Sequence, residues 1–221
     1  MPRIIFNRCD YLAALVHGKK VLDIGCVEHS FENSLKNGTH WLHRRIKETA
    51  ASVLGLDYEK AEVLKMQQAG YHVRHADAEN FNLNETYDVI MAGELLEHLS
   101  NPGRFLECAR KHLNENGRLV ITTPNANCLI YFLENLLLGH EIDNTDHCSL
   151  YSPATLSTLL SRYEFKIEKH IFVAENTAYH HTSMTAKFLT GVKQIFQVLI
   201  GYIRPSMCHH MITIATVKHE K

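Results

Sequence analysis

Short apolar runs alternate with amphipathic segments through most of this 221-residue chain, and that alternation constrains the fold more than any other feature. "KKVLDIG" is an apolar run that ends at Gly25, and "ASVLGLD" repeats the form and ends at Asp57. "YHVRHAD", "YDVIMAG", "GRLVITTPN", "FKIEKHIFVAE" and "HHMITIATVK" continue the series. Nearly continuous apolar runs of this length suit strands buried on both faces, as in a parallel sheet covered by helices. Helical patterns lie between them. "HWLHRRIKETA" places Trp41, Leu42, Ile46 and Ala50 at helical spacing, and "EKAEVLKMQQAG" closes on Gly70. A helix is expected from Glu94 to about His112, and "SPATLSTLLSRY" opens on a Ser-Pro helix start. The expected architecture is α/β: a doubly wound, mostly parallel seven-stranded sheet, helices on both faces, and an antiparallel last strand.

Two stretches break the alternation. Residues 125–150 follow the fifth run, and residues 174–205 separate the last two and contain "KFLTGVKQIFQVLIGYI". Both are long for connections and are expected to form a small lid over the carboxyl edge of the sheet, where such folds bind ligands. With 45% hydrophobic residues and 21% charged ones, residues 1–221 are expected to form a single domain with a real core. A net charge of −1 gives no global field for nucleic acid or an anionic membrane. The 188–203 segment is apolar enough to touch lipid, but lid or core is the favoured reading. No uninterrupted apolar run reaches the roughly 18 residues of a membrane span. The six cysteines are far apart with no CxxC pair, and no signal peptide opens the chain, so reduced thiols and a cytoplasmic location are expected. Sixteen histidines raise the expectation of metal or proton chemistry without locating it.

A strand, the turn "DIGCVEHS", a helix, a second strand and then Asp57 form the layout of a nucleotide-type, Rossmann-like site. The turn approaches the ligand and the acid bonds ribose hydroxyls. A dinucleotide site needs G-x-G-x-x-G so that the backbone can close on a pyrophosphate. Here only Gly25 stands in the turn, and Glu28 puts negative charge where phosphate would lie, which argues against NAD. A cofactor without phosphate and with a positive sulfonium tolerates the same turn.

From about Val21 to Phe165 the chain resembles class I S-adenosylmethionine-dependent methyltransferases. "VLDIGC", "VLGLDYEK", "HADAENF", "YDVIMAGELLEHLSNPGRFL" and "LNENGRLVITTPN" resemble that family's successive motifs, in order. The resemblance implies S-adenosylmethionine as cofactor. Asp23, Gly25 and Cys26 belong to the first motif, with Gly25 and Cys26 lining the methionine part. Asp57 would hold the ribose, Tyr58 would pack near the adenine, Asp77 and Ala78 would face the adenine, and Gly93 would contact the cofactor at the end of its strand. The first motif departs from the pattern by lacking its second and third glycines.

"GELLEHLSNP" then raises a separate question, because Glu94, Glu97 and His98 would share one face of a helix. Acids favour a helix's first turn, which accounts for the carboxylates but not the imidazole. The methyltransferases of ubiquinone precursors and of small-RNA 3′ ends share E-x-x-E-H, then "TPN", then a histidine ahead of a Ser-Pro helix. "ELLEH", "TTPN" and "DHCSLYSPATL" resemble that pattern, which implies a divalent-metal site at Glu94, Glu97, His98 and His147. The mixed oxygen and nitrogen donors suit Zn²⁺, Mn²⁺ or Fe²⁺, and Mg²⁺ less typically. Without a metal, His98 or His147 could act as general base. The expected activity is O-methylation of a small hydroxylated acceptor such as a sugar, phenol or quinol. Methylation of an RNA terminus, metal-independent N- or C-methylation and a non-catalytic cofactor-binding module are the alternatives. Neither the adjacent pairs His180-His181 and His209-His210 nor the solvated face of Arg44, Arg45 and Lys47 is expected to form a site.

Overall fold

The apolar runs become the middle of one eight-stranded sheet. The computed structural model describes residues 3–139, 144–174 and 184–218. Its strands are β1 (Arg3–Ile5), β2 (Lys20–Ile24), β3 (Ser52–Asp57), β4 (Val73–His75), β5 (Tyr87–Gly93), β6 (Leu113–Pro124), β7 (Phe165–Val173) and β8 (His210–Val217). Their order across the sheet is β1-β7-β8-β6-β5-β2-β3-β4. Neighbours pair in parallel except along β8, which runs antiparallel to both β6 and β7. The fold is a Rossmann-like α/β arrangement with eight strands in place of the expected seven. The additional strand is the edge strand β1, whose three residues pair with Ile171 to Val173. Three residues are too few for an alternation to register in sequence.

Side-chain alternation divides the core between two faces. Leu22, Ile24, Ile90, Leu119 and Ile121 face one side, where they pack with Phe105, Leu106, Leu156 and Leu160. Those partners come from α5 (Pro102–His112) and α7 (Pro153–Arg162). Val21, Val89, Met91 and Val120 face the other side, against Leu12 of α1 (Arg8–Leu15) and Leu42 and Ile46 of α3 (Leu42–Thr49). Each fully buried Leu or Ile contributes about 1.5–3 kcal/mol over its exposed state. Two further helices, α2 (Phe31–Asn37) and α4 (Lys60–Gln68), pack on each other past the first turn. The capping box at Ser152 and Thr155 starts α7 where the Ser-Pro signal placed it.

The segment after β5 departs from expectation. In place of one helix from Glu94 to about His112, a 3-10 turn spans Leu96–His98 and α5 begins only at Pro102. Two features account for the break. Glu94 adopts a left-handed φ of 49°, and Asn101 caps a helix whose first residue is proline. Arg44 and Arg45 lie on the exposed face of α3 with Glu48, as expected, while Lys47 sits over the Tyr71 ring.

Two more helices belong to the segments that break the alternation: α6 (Leu129–Leu138) and α8 (Met184–Ile203). Residues 140–143 and 175–183, including His180-His181, lie outside the described residues. Lys193 of α8 forms an ion pair with Glu134 of α6. Leu136, Leu137 and Leu138 on α6 and Ile195, Leu199 and Ile203 on α8 are exposed. No described helix is long and apolar enough to cross a membrane.

Candidate functional site

Because β4, β3, β2 and β5 are parallel and adjacent, their carboxyl ends form one row. Gly25, Asp57, Asp77 and Gly93 end or directly follow those strands, so the structure brings them to a single edge. Gly25 has φ of 77°, and its N–H donates to the Leu56 carbonyl at 2.9 Å. A side chain there would require a strained backbone. Past the turn the Cys26 carbonyl accepts the Trp41 indole N–H at 2.9 Å, which fixes the buried Cys26 beneath the loop. Asp57 closes the other side: its Oδ2 accepts the Val27 N–H at 2.9 Å and its Oδ1 the Glu59 N–H at 3.0 Å. Burial raises the Asp57 carboxyl, and these two backbone donors oppose the shift. Each carboxylate oxygen has a second lone pair, so both retain accepting capacity for a ligand hydroxyl.

The remaining residues of the expected cofactor set differ in setting. Tyr58 is 70% exposed beside the His75 ring, open to a flat partner. Asp77 is exposed and accepts the Glu79 N–H at 2.8 Å, while Ala78 is buried in the core. Gly93 abuts Leu42, whose Cδ2 would lie 2.8 Å from a Cβ. Asp23 turns into the protein: its Oδ2 lies 2.8 Å from Nδ1 of the equally buried His43, between β2 and α3.

The "ELLEH" residues divide into two clusters. Glu94 points toward β6 and the last strand. Its N–H donates to the Thr122 carbonyl at 3.0 Å, and its Oε1 accepts the Thr122 hydroxyl at 2.7 Å. Arg8 Nη1 lies 2.5 Å from the same oxygen, and His210 Nδ1 lies 3.0 Å from Oε2. Burial works against its charge, but His210 and Arg8 hold the Glu94 carboxyl well below the usual range. Helical spacing would put Glu94 with Glu97 and His98. The left-handed Glu94 and the 3-10 turn send it away from them.

Glu97, His98 and His147 form the other cluster, each offering a ligand atom within 4.8 Å of the others. Glu97 is fully buried, and neither carboxylate oxygen has a hydrogen bond of proper geometry. Burial and the nearby Glu94 charge push its carboxyl up to about 8, with the adjacent Thr123 hydroxyl opposing the shift. An orphaned buried acceptor of this kind costs about 1–3 kcal/mol unless something binds it. The Glu97 carbonyl accepts the Cys148 N–H at 2.7 Å and the Ser149 N–H at 3.2 Å, which anchors the loop carrying His147. The His98 and His147 rings meet edge-on at 4.7 Å, and His98 Nδ1 lies 3.2 Å from the Asp146 carbonyl. That contact makes Nδ1 the donor and leaves Nε2 as the ring's accepting nitrogen.

Arg8 and His210 were not legible as site residues. His210 occurs in an adjacent pair with no motif around it, and the only indirect signal is its place at the start of the last apolar run. A surface cleft lined by Leu15, Lys19, Asp88 and Asn114 opens at the opposite edge of the sheet and shares no residue with either cluster.

Comparison with known proteins follows the same lines. A family profile described as "Methyltransferase domain" matches residues 1–170. The ubiquinone biosynthesis O-methyltransferase of Photobacterium profundum is 27% identical over 187 residues, covering 79% of this chain and 72% of that protein. The mitochondrial ubiquinone biosynthesis O-methyltransferase of Schizosaccharomyces pombe is 30% identical over 125 residues, covering 56% of this chain and 44% of that protein. Among solved structures, the magnesium protoporphyrin IX methyltransferase from Synechocystis with bound S-adenosylhomocysteine superposes with a TM-score of 0.59. It is 15% identical, over 96% of this chain and 82% of that one. A S-adenosylmethionine-dependent methyltransferase from Clostridium acetobutylicum gives a TM-score of 0.59 at 11% identity, over 96% and 91%.

Proposed function

The chain belongs to the methyltransferase-domain family as a class I S-adenosylmethionine-dependent methyltransferase, and we propose that it methylates a hydroxyl of a small acceptor with help from a divalent cation. The observation that carries the metal part is the buried Glu97 carboxylate, without a hydrogen bond and grouped with the imidazoles of His98 and His147. One carboxylate and two imidazoles fit a divalent cation with positions left open, the arrangement of catalytic rather than structural sites. Such an ion would lower the pKa of an acceptor hydroxyl and orient it. Glu94, expected in the same set, is left out of it here because its carboxylate is taken by Arg8, Thr122 and His210.

In this reading Asp57 holds the cofactor's ribose with its free lone pairs, and Tyr58 covers the adenine beside Asp77 and Ala78. Gly25, Cys26 and Gly93 supply the close backbone on which the methionine portion and the sulfonium rest. Asp23 acts indirectly, by fixing α3 under the loop through His43. The hydroxylated acceptor class is supported by the names of the relatives, which are O-methyltransferases of ubiquinone biosynthesis.

The test is release of S-adenosylhomocysteine with catechol and sugar acceptors, before and after chelation, then with Mg²⁺, Mn²⁺, Zn²⁺ or Fe²⁺ restored. Loss on chelation, recovery with one ion and loss in Glu97→Ala are expected. Full activity after chelation would remove the metal. Methylation of nitrogen or carbon acceptors alone would overturn the hydroxyl reading.

A further inference from the structure

Three consecutive residues at the start of α3 each contact a different residue of the expected cofactor set. The Trp41 indole N–H donates to the Cys26 carbonyl at 2.9 Å. Leu42 lies against Gly93, with its Cδ2 2.8 Å from where a Cβ would stand. His43 Nδ1 lies 2.8 Å from Asp23 Oδ2. All three side chains are buried, so they act through the backbone they hold. Asp23 and Cys26 flank the end of β2 and Gly93 ends the adjacent β5, so one short stretch spans two neighbouring strand ends.

The turn after β2 is closed by bonds within the protein. Gly25 and Cys26 donate their N–H groups to the Leu56 carbonyl at 2.9 and 3.3 Å. Val27 donates to Asp57 Oδ2 at 2.9 Å and Glu28 to Ser34 Oγ at 3.0 Å. In a glycine-rich turn such amides face the ligand. Here four in succession are engaged internally, so the turn takes its shape from the protein around it.

A glycine stands one strand away instead. A Cβ at Gly55 in β3 would lie 2.8 Å from Cys26 Sγ and 2.9 Å from His43 Cε1. The bare backbone there lets both side chains settle against β3. The Trp41 ring is braced in turn by Phe31, at 6.0 Å between ring centroids, and by Tyr71 at 5.1 Å. That bracing keeps the indole N–H on the Cys26 carbonyl.

We propose that Trp41, Leu42 and His43 are positioning residues that take the place of the missing glycines, preforming the turn on which the methionine part of S-adenosylmethionine rests. The proposal rests on the cofactor reading above and deepens it. A preformed turn needs no ordering when the ligand arrives, whereas a turn without its support must be reordered and binds more weakly. The loss falls chiefly on the methionine part, because the adenine is expected beside Tyr58, Asp77 and Ala78, which follow β3 and β4.

The experiment is isothermal calorimetry with two probes, S-adenosylhomocysteine and 5′-methylthioadenosine. The second keeps the adenosine and the sulfur but lacks the amino-acid end. Trp41→Phe keeps an aromatic ring and removes the donor, which leaves the Cys26 carbonyl without its partner. It should bind S-adenosylhomocysteine about 5- to 30-fold more weakly, the range for one lost bond to a buried acceptor. Its affinity for 5′-methylthioadenosine should stay within about twofold of wild type, which also reports folding. Wild type gives an independent readout, because Trp41 is the only tryptophan in the chain. Its emission should change on saturation with S-adenosylhomocysteine and change less with 5′-methylthioadenosine. If Trp41→Phe does not fold, the emission decides alone. Equal weakening of both probes in the variant would make Trp41 merely structural and overturn the proposal, as would unchanged affinity for S-adenosylhomocysteine. Emission that responds alike to both probes, or to neither, would also overturn it. Wild type that binds S-adenosylhomocysteine no more tightly than 5′-methylthioadenosine would overturn the reading of this turn as the methionine site, and the proposal with it.

Discussion

Asp57 and Val27 are joined across the sheet edge: the Val27 N–H donates to Asp57 Oδ2 at 2.9 Å, 30 residues apart in sequence. One carboxylate thus shapes the glycine-poor loop and stands where the cofactor's ribose is expected. Asp57→Ala is expected to weaken S-adenosylmethionine binding about 10- to 100-fold, since bonds to a charged group contribute roughly 1.5–3 kcal/mol. Asp57→Asn keeps one carbonyl acceptor and should fall between. Isothermal calorimetry measures both, and wild-type affinity in Asp57→Ala would remove the residue from the site.

Glu97 makes apo-protein stability depend on pH. Its folded-state carboxyl is raised to about 8, so the folded protein holds a proton that the unfolded chain gives up near pH 4.3, the ordinary value for Glu. Stability from this group is therefore unaffected below about pH 4, falls as pH rises toward 8, and levels off above it. In chelator, Glu97→Gln should melt like wild type near pH 4 and above it near pH 8. Divalent cations should raise the wild-type melting temperature at pH 8 and leave the variant's nearly unchanged. Parallel pH profiles for the two proteins would contradict the assignment.

Gly25 is the turn's pivot, with φ of 77° and Leu95 Cδ1 only 3.3 Å from where a Cβ would sit. Gly25→Ala should cost about 1–3 kcal/mol, a drop of roughly 2–4 °C in melting temperature per kcal/mol at this chain length. It should also weaken the cofactor. Differential scanning calorimetry with and without S-adenosylhomocysteine separates the two effects.

α6 and α8 expose apolar side chains and are linked through Lys193 and Glu134. As a lid they should gain protection from hydrogen exchange over 129–138 and 191–203 when cofactor and acceptor bind together. Lys193→Met should reduce that gain. Unchanged exchange in both segments under saturating ligand would count against a lid. Protection by vesicles in place of the acceptor would point to a lipid contact.

The strands and the row of residues at their carboxyl ends were legible in the sequence because they depend on local pattern. Leu22 and Ile24 alternate with Val21 in a run that can only be buried on both faces, and parallel strands carry their trailing residues to one edge. Gly25, Asp57, Asp77 and Gly93 line up for that reason alone. Glu97, His98 and His147 stand together as the resemblance implied, with a 3-10 turn rather than a helix carrying the first two. Glu94 does not share a helix face with Glu97 and His98, because the backbone turns left-handed there and one dihedral redirects a side chain. The inward turn of Asp23 was not legible either, since its partner His43 is set by how α3 packs. His210 and Arg8 lay beyond any local rule. Their meeting at Glu94 requires β8 to return antiparallel beside β6 in one register, and α1 to lie on the adjoining face. Sequence spacing determines what a strand or turn can be. Long-range register and helix packing decide which charges share a low-dielectric corner, and only the folded chain holds that information.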